Sequence, residues 1–201
     1  MRRLLNALVG ISFALAACAA HAGTQRYEPL SASVQAALSR SIADKGAPTL
    51  RFEDPSHGYR WLLEMSNRLA KRIPDEKFRV ELLKTVHYEA TRAGLDPQLV
   101  LGLIWVESGF KKYAVSSAGA RGLMQVMPFW RDLIGTPDDN LFHLRTNLRY
   151  GMVILRHYLD IEKGDLYRAL GRYNGSLGRA EYPNMVLAAW RGQFRYEGPV
   201  A

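Results

Sequence analysis

Apolar residues recur at helical spacing along most of the chain, and no stretch alternates long enough to indicate a sheet. Helix start and stop residues divide this pattern into segments, so the sequence predicts an all-α domain of short and medium helices. The predicted helices cover residues 33–43, 59–72, 76–93, 97–108, 129–134, 146–160, 165–172 and 183–193, and a single helical turn is expected over 123–127. In the helix predicted over 59–72, the side chains of Leu62, Leu63 and Leu69 are expected to face the core.

The N-terminus has the pattern of an export signal. Arg2 and Arg3 precede an apolar stretch of about 14 residues, shorter than the roughly 20 needed to span a bilayer, and Ala20-His21-Ala22 is a small-x-small cleavage site. We therefore expect a signal peptide over 1–22, a helical extension and linker over 23–75, and the main domain over 76–201. The predicted location is the periplasm.

Cys18 supports an alternative interpretation of the same region. Leu15-Ala16-Ala17-Cys18 resembles a bacterial lipobox, in which the cysteine becomes the lipidated N-terminus of an outer-membrane lipoprotein. Cys18 is the chain's single cysteine, so no intrachain disulfide can form and stability must come from packing.

The charge of the chain favours an anionic partner. The formal net charge is +8, and removing Arg2 and Arg3 with the signal leaves +6. A basic cytoplasmic protein would suggest nucleic acid as the partner. Export argues against nucleic acid and leaves cell-wall glycan with acidic peptide stems and lipid head groups as the plentiful anionic partners.

Glu107 is the strongest candidate for chemistry. It shares a helical strip with Val100, Leu103 and Ile104, in the last turn of the helix that Asp96-Pro97 begins. An apolar surface and the negative end of the helix dipole both favour the neutral carboxyl, so its pKa should rise and it could donate a proton near neutral pH. Residues 116–125 are rich in small and amide groups, and nothing between Glu107 and Asp132 is acidic. Seen alone, such a glutamate is more often a surface residue at the edge of a helix face.

Three short motifs follow one another along the chain. Glu107-Ser108, then Gly122-Leu123-Met124-Gln125, then Tyr173-Asn174, resemble the ordered motifs of the family 1 lytic transglycosylases, whose soluble-lytic-transglycosylase catalytic domain has an α-helical lysozyme-like fold. The resemblance covers about residues 76–193. It departs from the family at Arg172 and Gly175, where alanine is usual, and at Ile154, where tyrosine is frequent.

The resemblance implies a role for each matching residue. Glu107 corresponds to the single catalytic acid and base, Ser108 helps to orient the substrate, and the Tyr173 hydroxyl is expected to bond the catalytic carboxyl. The implied substrate-binding set is Ser108, Gly122, Met124, Gln125, Tyr173 and Asn174.

One carboxyl group restricts the reaction. Most glycosidases use two carboxyl groups, but the substrate's own acetamido group can supply the second catalytic partner. The expected reaction is cleavage of the β-1,4 bond between N-acetylmuramic acid and N-acetylglucosamine in peptidoglycan, giving 1,6-anhydromuramyl ends without water. No metal or other cofactor is expected, because the five histidines lack paired ligand spacing.

Two other functions fit part of the sequence. A hydrolytic muramidase of the goose-lysozyme type would need an aspartate to activate water, and Asp132, Asp138 and Asp139 are the candidates. A wall-binding or assembly factor would hold glycan without turnover and could dock to a cell-envelope machine. Binding of another polyanion is a more distant alternative.

Overall fold

The computed structural model describes residues 25–43, 46, 48–50, 52 and 54–198, so the predicted signal peptide and Cys18 lie outside the described residues. Its helices are α1 Ala32–Ala43, α2 Pro55–Leu69, α3 Glu76–Arg92, α4 Pro97–Ser108, α5 Pro128–Ile134, α6 Leu144–Ile161, α7 Leu166–Tyr173 and α8 Glu181–Ala188, followed by a π-helical turn, Ala189–Gln193. Across the described ranges the regular elements are helices and two isolated bridges, so the all-α prediction is confirmed. No helix in this part of the chain is long and apolar enough to cross a membrane.

Helix α4 lies at the centre of the fold, and most of its residues are buried. Its ends follow the local signals in the sequence. The Asp96 carboxylate accepts hydrogen bonds from the backbone N–H groups of Gln98 at 2.6 Å and Leu99 at 3.0 Å, while Gly109 ends the helix in the left-handed region at φ 55°. Helices α3 and α8 and the π-helical turn pack around α4. Its last turn, which carries Glu107, is therefore held inside the domain.

Helix α2 differs from the prediction at its start and in its buried face. It begins at Pro55, because Asp54 caps the helix by accepting the Ser56 N–H at 2.8 Å. Its buried face carries Trp61, Met65 and Leu69, four residues apart, so Leu63 lies on the opposite side and is 64% exposed. The expectation that Leu63 faces the core is wrong.

Residues 121–126 form a tight loop in place of the predicted helical turn. Arg121 and Val126 exchange backbone hydrogen bonds of 2.9 and 3.0 Å, which close the loop. Gln125 has a positive φ of 46°, a conformation that ends helical geometry. This 121–126 loop lies beside the last turn of α4, because Ser108 bonds to it directly.

The predicted N-terminal extension shares the core of the main domain. Trp61, Met65 and Leu69 belong to the same apolar cluster as α3 and α4, and α1 packs against α5 and α6. The division of the chain at residues 22 and 75 stays a prediction.

Candidate active site

Glu107 is buried in the last turn of α4, with 4% of its surface exposed. The Tyr182 hydroxyl donates a hydrogen bond to Glu107 Oε1 at 2.5 Å, while Oε2 has no hydrogen-bond partner among the described residues. Burial raises the pKa of Glu107 to about 8, although the hydrogen bond from Tyr182 opposes the rise by stabilising the carboxylate. The side chain therefore carries a proton at neutral pH, and its second oxygen is buried without a hydrogen bond to any described residue.

Tyr182, on α8, was not among the predicted site residues. It is 4% exposed, and burial followed by the charge of Glu107 raises the pKa of its hydroxyl well above 10. The hydroxyl thus stays a donor when Glu107 ionises. Only the packing of α8 against α4 brings it to the carboxyl, and no spacing in the sequence indicates that contact.

Tyr173, at the end of α7, does not make the hydrogen bond expected of it. Its hydroxyl donates to the Met124 carbonyl at 2.7 Å, so the prediction that it bonds the Glu107 carboxyl is wrong for this structure. Tyr173 is nevertheless close enough to the acid for the charge of Glu107, after burial, to raise the pKa of its hydroxyl. Its position anchors the 121–126 loop beside the acid.

Two further predicted residues hold the same loop. Ser108 Oγ donates to the Leu123 carbonyl at 2.7 Å, and Gln125 Nε2 donates to the carbonyls of Gly122 at 2.9 Å and Ala114 at 3.2 Å. The loop is therefore braced by side chains on both sides. Such bracing fixes the backbone around Glu107 before substrate arrives.

Asn147, on α6, is the second residue that the sequence interpretation missed. It is 1% exposed, accepts the Met124 N–H at 2.8 Å and donates to the carbonyls of Arg121 and Leu141 at 2.8 Å each. Gly122 has φ 75°, and a side chain there would overlap Asn147. An amide on the apolar face of a helix was a signal that could have identified Asn147.

Comparison with known proteins assigns the family. The family model described as "Transglycosylase SLT domain" matches residues 84–184, half of the chain, including Glu107, the 121–126 loop and Tyr182. The chain belongs to the transglycosylase SLT domain family.

Similar proteins cover parts of the chain. The "Transglycosylase" of Enterobacteria phage PRD1 is 32% identical over 58% of this chain and 46% of its own length. "Membrane-bound lytic murein transglycosylase C" of Glaesserella parasuis serovar 5 is 40% identical over 48% of this chain and 31% of its own length. The chain thus spans less than half the length of these relatives. A solved structure of an inactive variant of the lytic transglycosylase Slt from Pseudomonas aeruginosa is 20% identical, with a TM-score of 0.44, over 68% of this chain and 25% of that one.

Two further predicted substrate-binding residues, Met124 and Asn174, are buried. Met124 is fully buried and packs against Gly151, where an added Cβ would lie 2.7 Å from Met124 Cβ. Its sugar contact stays a prediction and would require the side chain to move. Asn174 is 7% exposed, and its Nδ2 donates to Ser176 Oγ at 3.1 Å.

Two of the aspartates considered for activating water are engaged elsewhere. Asp132 is 61% exposed beside Arg131, and Asp139 accepts a 2.6 Å hydrogen bond from the Tyr150 hydroxyl. Among the described residues, no second carboxylate contributes to the shifted pKa of Glu107. The same part of the chain contains no group of three or more His, Cys, Asp and Glu side chains arranged to hold a metal ion. The arrangement suits proton transfer by one carboxyl group.

Proposed function

We propose that this SLT domain is a lytic transglycosylase that cleaves the β-1,4 bond between N-acetylmuramic acid and N-acetylglucosamine in peptidoglycan. Glu107 serves first as the acid and then as the base. The observation that carries the proposal is a buried carboxyl whose pKa is about 8 and whose Oε2 has no hydrogen-bond partner among the described residues. A general acid is most effective when its pKa lies near the working pH.

In the first step, the protonated Glu107 gives its proton to the glycosidic oxygen. The bond between that oxygen and the anomeric carbon breaks, and its electron pair stays with the departing N-acetylglucosamine. The oxygen of the muramyl acetamido group bonds to the anomeric carbon and forms an oxazolinium-like intermediate, so no protein nucleophile is needed. The lack of a second carboxylate acting on Glu107 among the described residues supports this course.

In the second step, the ionised Glu107 takes the proton of the muramyl 6-hydroxyl. The hydroxyl oxygen bonds to the anomeric carbon, the acetamido oxygen is released, and a 1,6-anhydro ring closes with Glu107 protonated again. Tyr182 supports the change of role, because its hydroxyl can donate to either form of the carboxyl and stabilises the ionised one.

The 121–126 loop is proposed to receive the amide groups of the sugar. Gln125 lies on this loop, Tyr173 donates a hydrogen bond to it, and Asn174 follows Tyr173 in the chain. Hydrogen bonds of Ser108 and Asn147 to the Leu123 carbonyl and the Met124 N–H hold the backbone of the loop in one conformation. Such preorganisation orients the acetamido group toward the anomeric carbon.

Export to the periplasm is part of the proposal. The predicted signal peptide provides the route, and the basic mature chain would meet glycan with acidic stems. Relatives named membrane-bound lytic murein transglycosylase C favour the alternative of an outer-membrane lipoprotein anchored through Cys18. Partners in a cell-envelope machine stay possible for either form.

The test is digestion of purified sacculi, followed by mass spectrometry of the muropeptides. Wild type should release 1,6-anhydromuramyl products, and Glu107→Gln should release none while still binding sacculi. Asp132→Asn is the control, because a hydrolytic muramidase would need such a group to activate water. Reducing muramyl ends without anhydro ends would reject the transglycosylase reaction. Equal binding without cleavage by wild type and Glu107→Gln would support a wall-binding factor.

A further inference from the structure

An N-terminal strap, residues 25–31, runs from Gln25 into α1 without helical or extended pairing. Residues 26–29 are exposed, whereas Gln25 is 3% exposed. A glutamine side chain this deeply buried at the start of an otherwise exposed segment needs hydrogen-bond partners inside the domain. Those partners lie about a hundred residues away in the sequence, at the candidate active site.

The Gln25 carboxamide is held through both its donor and its acceptor. Its Nε2 donates to the Gln125 carbonyl at 3.3 Å, and its Oε1 accepts the Met127 N–H at 3.2 Å. It also hydrogen-bonds the Tyr173 hydroxyl, which lowers the pKa of that hydroxyl against the effect of burial. An amide group is therefore bound at the edge of the 121–126 loop, one side chain away from Glu107.

Apart from Leu30, which packs against the core next to α1, the remaining contacts of the strap are weak and exposed. The ring of Tyr27, 60% exposed, meets Phe129 edge to face at 5.7 Å between centroids. Glu28 accepts hydrogen bonds of 2.9 and 3.3 Å from Arg172, at a surface position where an ion pair contributes little. Residues 25–29 of the strap can therefore leave while Leu30 stays packed against the core. Arg172 is one of the positions at which this chain departs from the resembled family.

We propose that the N-terminal strap is an intramolecular plug, in which the Gln25 carboxamide occupies the place at the 121–126 loop that an acetamido group of the glycan takes in the proposed reaction. This inference rests on the proposed function. Glycan and strap exclude each other, so only molecules with an open site bind glycan. The apparent affinity for glycan falls in proportion to the fraction of molecules that are open.

The experiment compares wild type with Gln25→Ala on soluble, uncrosslinked glycan strands, using the exported protein. Because the plug competes with substrate, the apparent KM should fall about fivefold to tenfold while kcat stays unchanged. Glu28→Gln, which removes only the surface ion pair, should lower KM about twofold or less. Asp160→Asn removes a comparable exposed pair with Arg156 away from the strap and should leave KM unchanged.

A second measurement reports on the strap independently of turnover. The Met127 N–H donates a hydrogen bond to Gln25 Oε1. Hydrogen exchange at this N–H should therefore be faster in Gln25→Ala and unchanged in Asp160→Asn. An unchanged or increased KM in Gln25→Ala, with anhydro products still formed, would overturn the plug and leave the proposed function standing. Absence of anhydro products from every variant would overturn the proposed function instead. In that case, faster exchange at Met127 would still support closure of the loop by the strap, and unchanged exchange would overturn it.

Discussion

Two buried glutamates of this SLT domain sit in opposite electrostatic environments. Glu89 on α3 is fully buried and contacts Arg92, Arg145 and Arg149 at 3.0, 3.0 and 2.8 Å. Burial alone would raise the pKa of Glu89, but hydrogen bonds from Arg149 and Arg145 and the arginine charges outweigh it, so its pKa is lowered. Glu107 is almost as buried, has Tyr182 as its partner, and has a pKa of about 8.

The comparison shows that burial does not by itself make a carboxyl group reactive. Glu89 is ionised and joins elements of the fold, since Arg149 also donates to the Ile42 carbonyl at the end of α1. Glu107 keeps its proton because no cation in the described part of the chain compensates for its lost hydration. The charge partners therefore separate a structural carboxylate from a candidate acid.

The sharpest difference should appear in activity. Glu107→Gln removes the group that donates and accepts the proton, so turnover of glycan should fall about a thousandfold or more. Glu89→Gln should still form anhydro products, because that side chain lies outside the proposed chemistry. Release of soluble anhydromuropeptides from sacculi measures both. A Glu89→Gln variant that is folded but as inactive as Glu107→Gln would break the comparison.

The next largest difference should appear in stability. Glu89→Gln leaves Arg149, itself 7% exposed, without its charge partner, and should lower the free energy of unfolding by about 3–5 kcal/mol. Asp160→Asn at the exposed pair with Arg156 should cost less than about 1 kcal/mol. Urea unfolding at pH 7 measures both changes. Equal losses would show that the arginine cluster has no special role.

The two glutamates should also respond to pH in opposite directions. Glu107 has a raised pKa, so between about 4.5 and 8 the unfolded chain loses a proton that the folded chain keeps, and stability falls as pH rises. Glu107→Gln removes this dependence, so its stability relative to wild type should improve by roughly 4 kcal/mol between pH 4.5 and pH 9. The lowered pKa of Glu89 instead gives stability that is lost as the pH falls below its ordinary value of 4.5. Urea unfolding of both proteins at pH 4.5 and pH 9 measures this change. The assignment is contradicted if the free energy of unfolding of Glu107→Gln changes with pH as that of wild type does.

The smallest effect concerns the tyrosine partner. Tyr182→Phe removes a hydrogen bond that lowers the pKa of Glu107, so the alkaline limb of kcat/KM, expected near pH 8, should move to higher pH. Loss of support for the ionised form should lower kcat/KM at pH 7 about tenfold.

Tyr173→Phe is the matched control for that profile. Its hydroxyl bonds the Met124 carbonyl, so the substitution should change KM through the loop without moving the alkaline limb. A limb that moves in Tyr173→Phe and stays in Tyr182→Phe would reverse the roles assigned to the two tyrosines.

Local signals predicted the part of the site that one helix supplies. The cap at Asp96, the stop at Gly109 and the apolar strip of α4 placed Glu107 in a buried last turn, as the structure has it. These features depend on neighbouring residues and helical geometry alone, so they can be read from a single stretch of sequence.

The parts that were missed depend on packing between distant segments. Tyr182 reaches Glu107 through the contact of α8 with α4, and Gln25 reaches the 121–126 loop from 100 residues away. The loop was interpreted as a helical turn because the polar groups that hold it, from Ser108 and Asn147, lie on other helices. Hydrogen bonds of this kind leave no periodic trace in the sequence.

Gly102, near the middle of α4, connects this packing to the acid. A Cβ there would lie 2.9 Å from the Trp190 backbone nitrogen and 3.2 Å from the Val186 carbonyl oxygen, so the bare backbone of α4 sets how closely the tyrosine-bearing segment approaches. The distance between α4 and α8 at the buried Gly102 therefore helps to set the contact between Tyr182 and Glu107, and with it the pKa of Glu107. A single methyl group at residue 102 would push α8 away from α4 and so change the pKa of Glu107 without touching its carboxyl group.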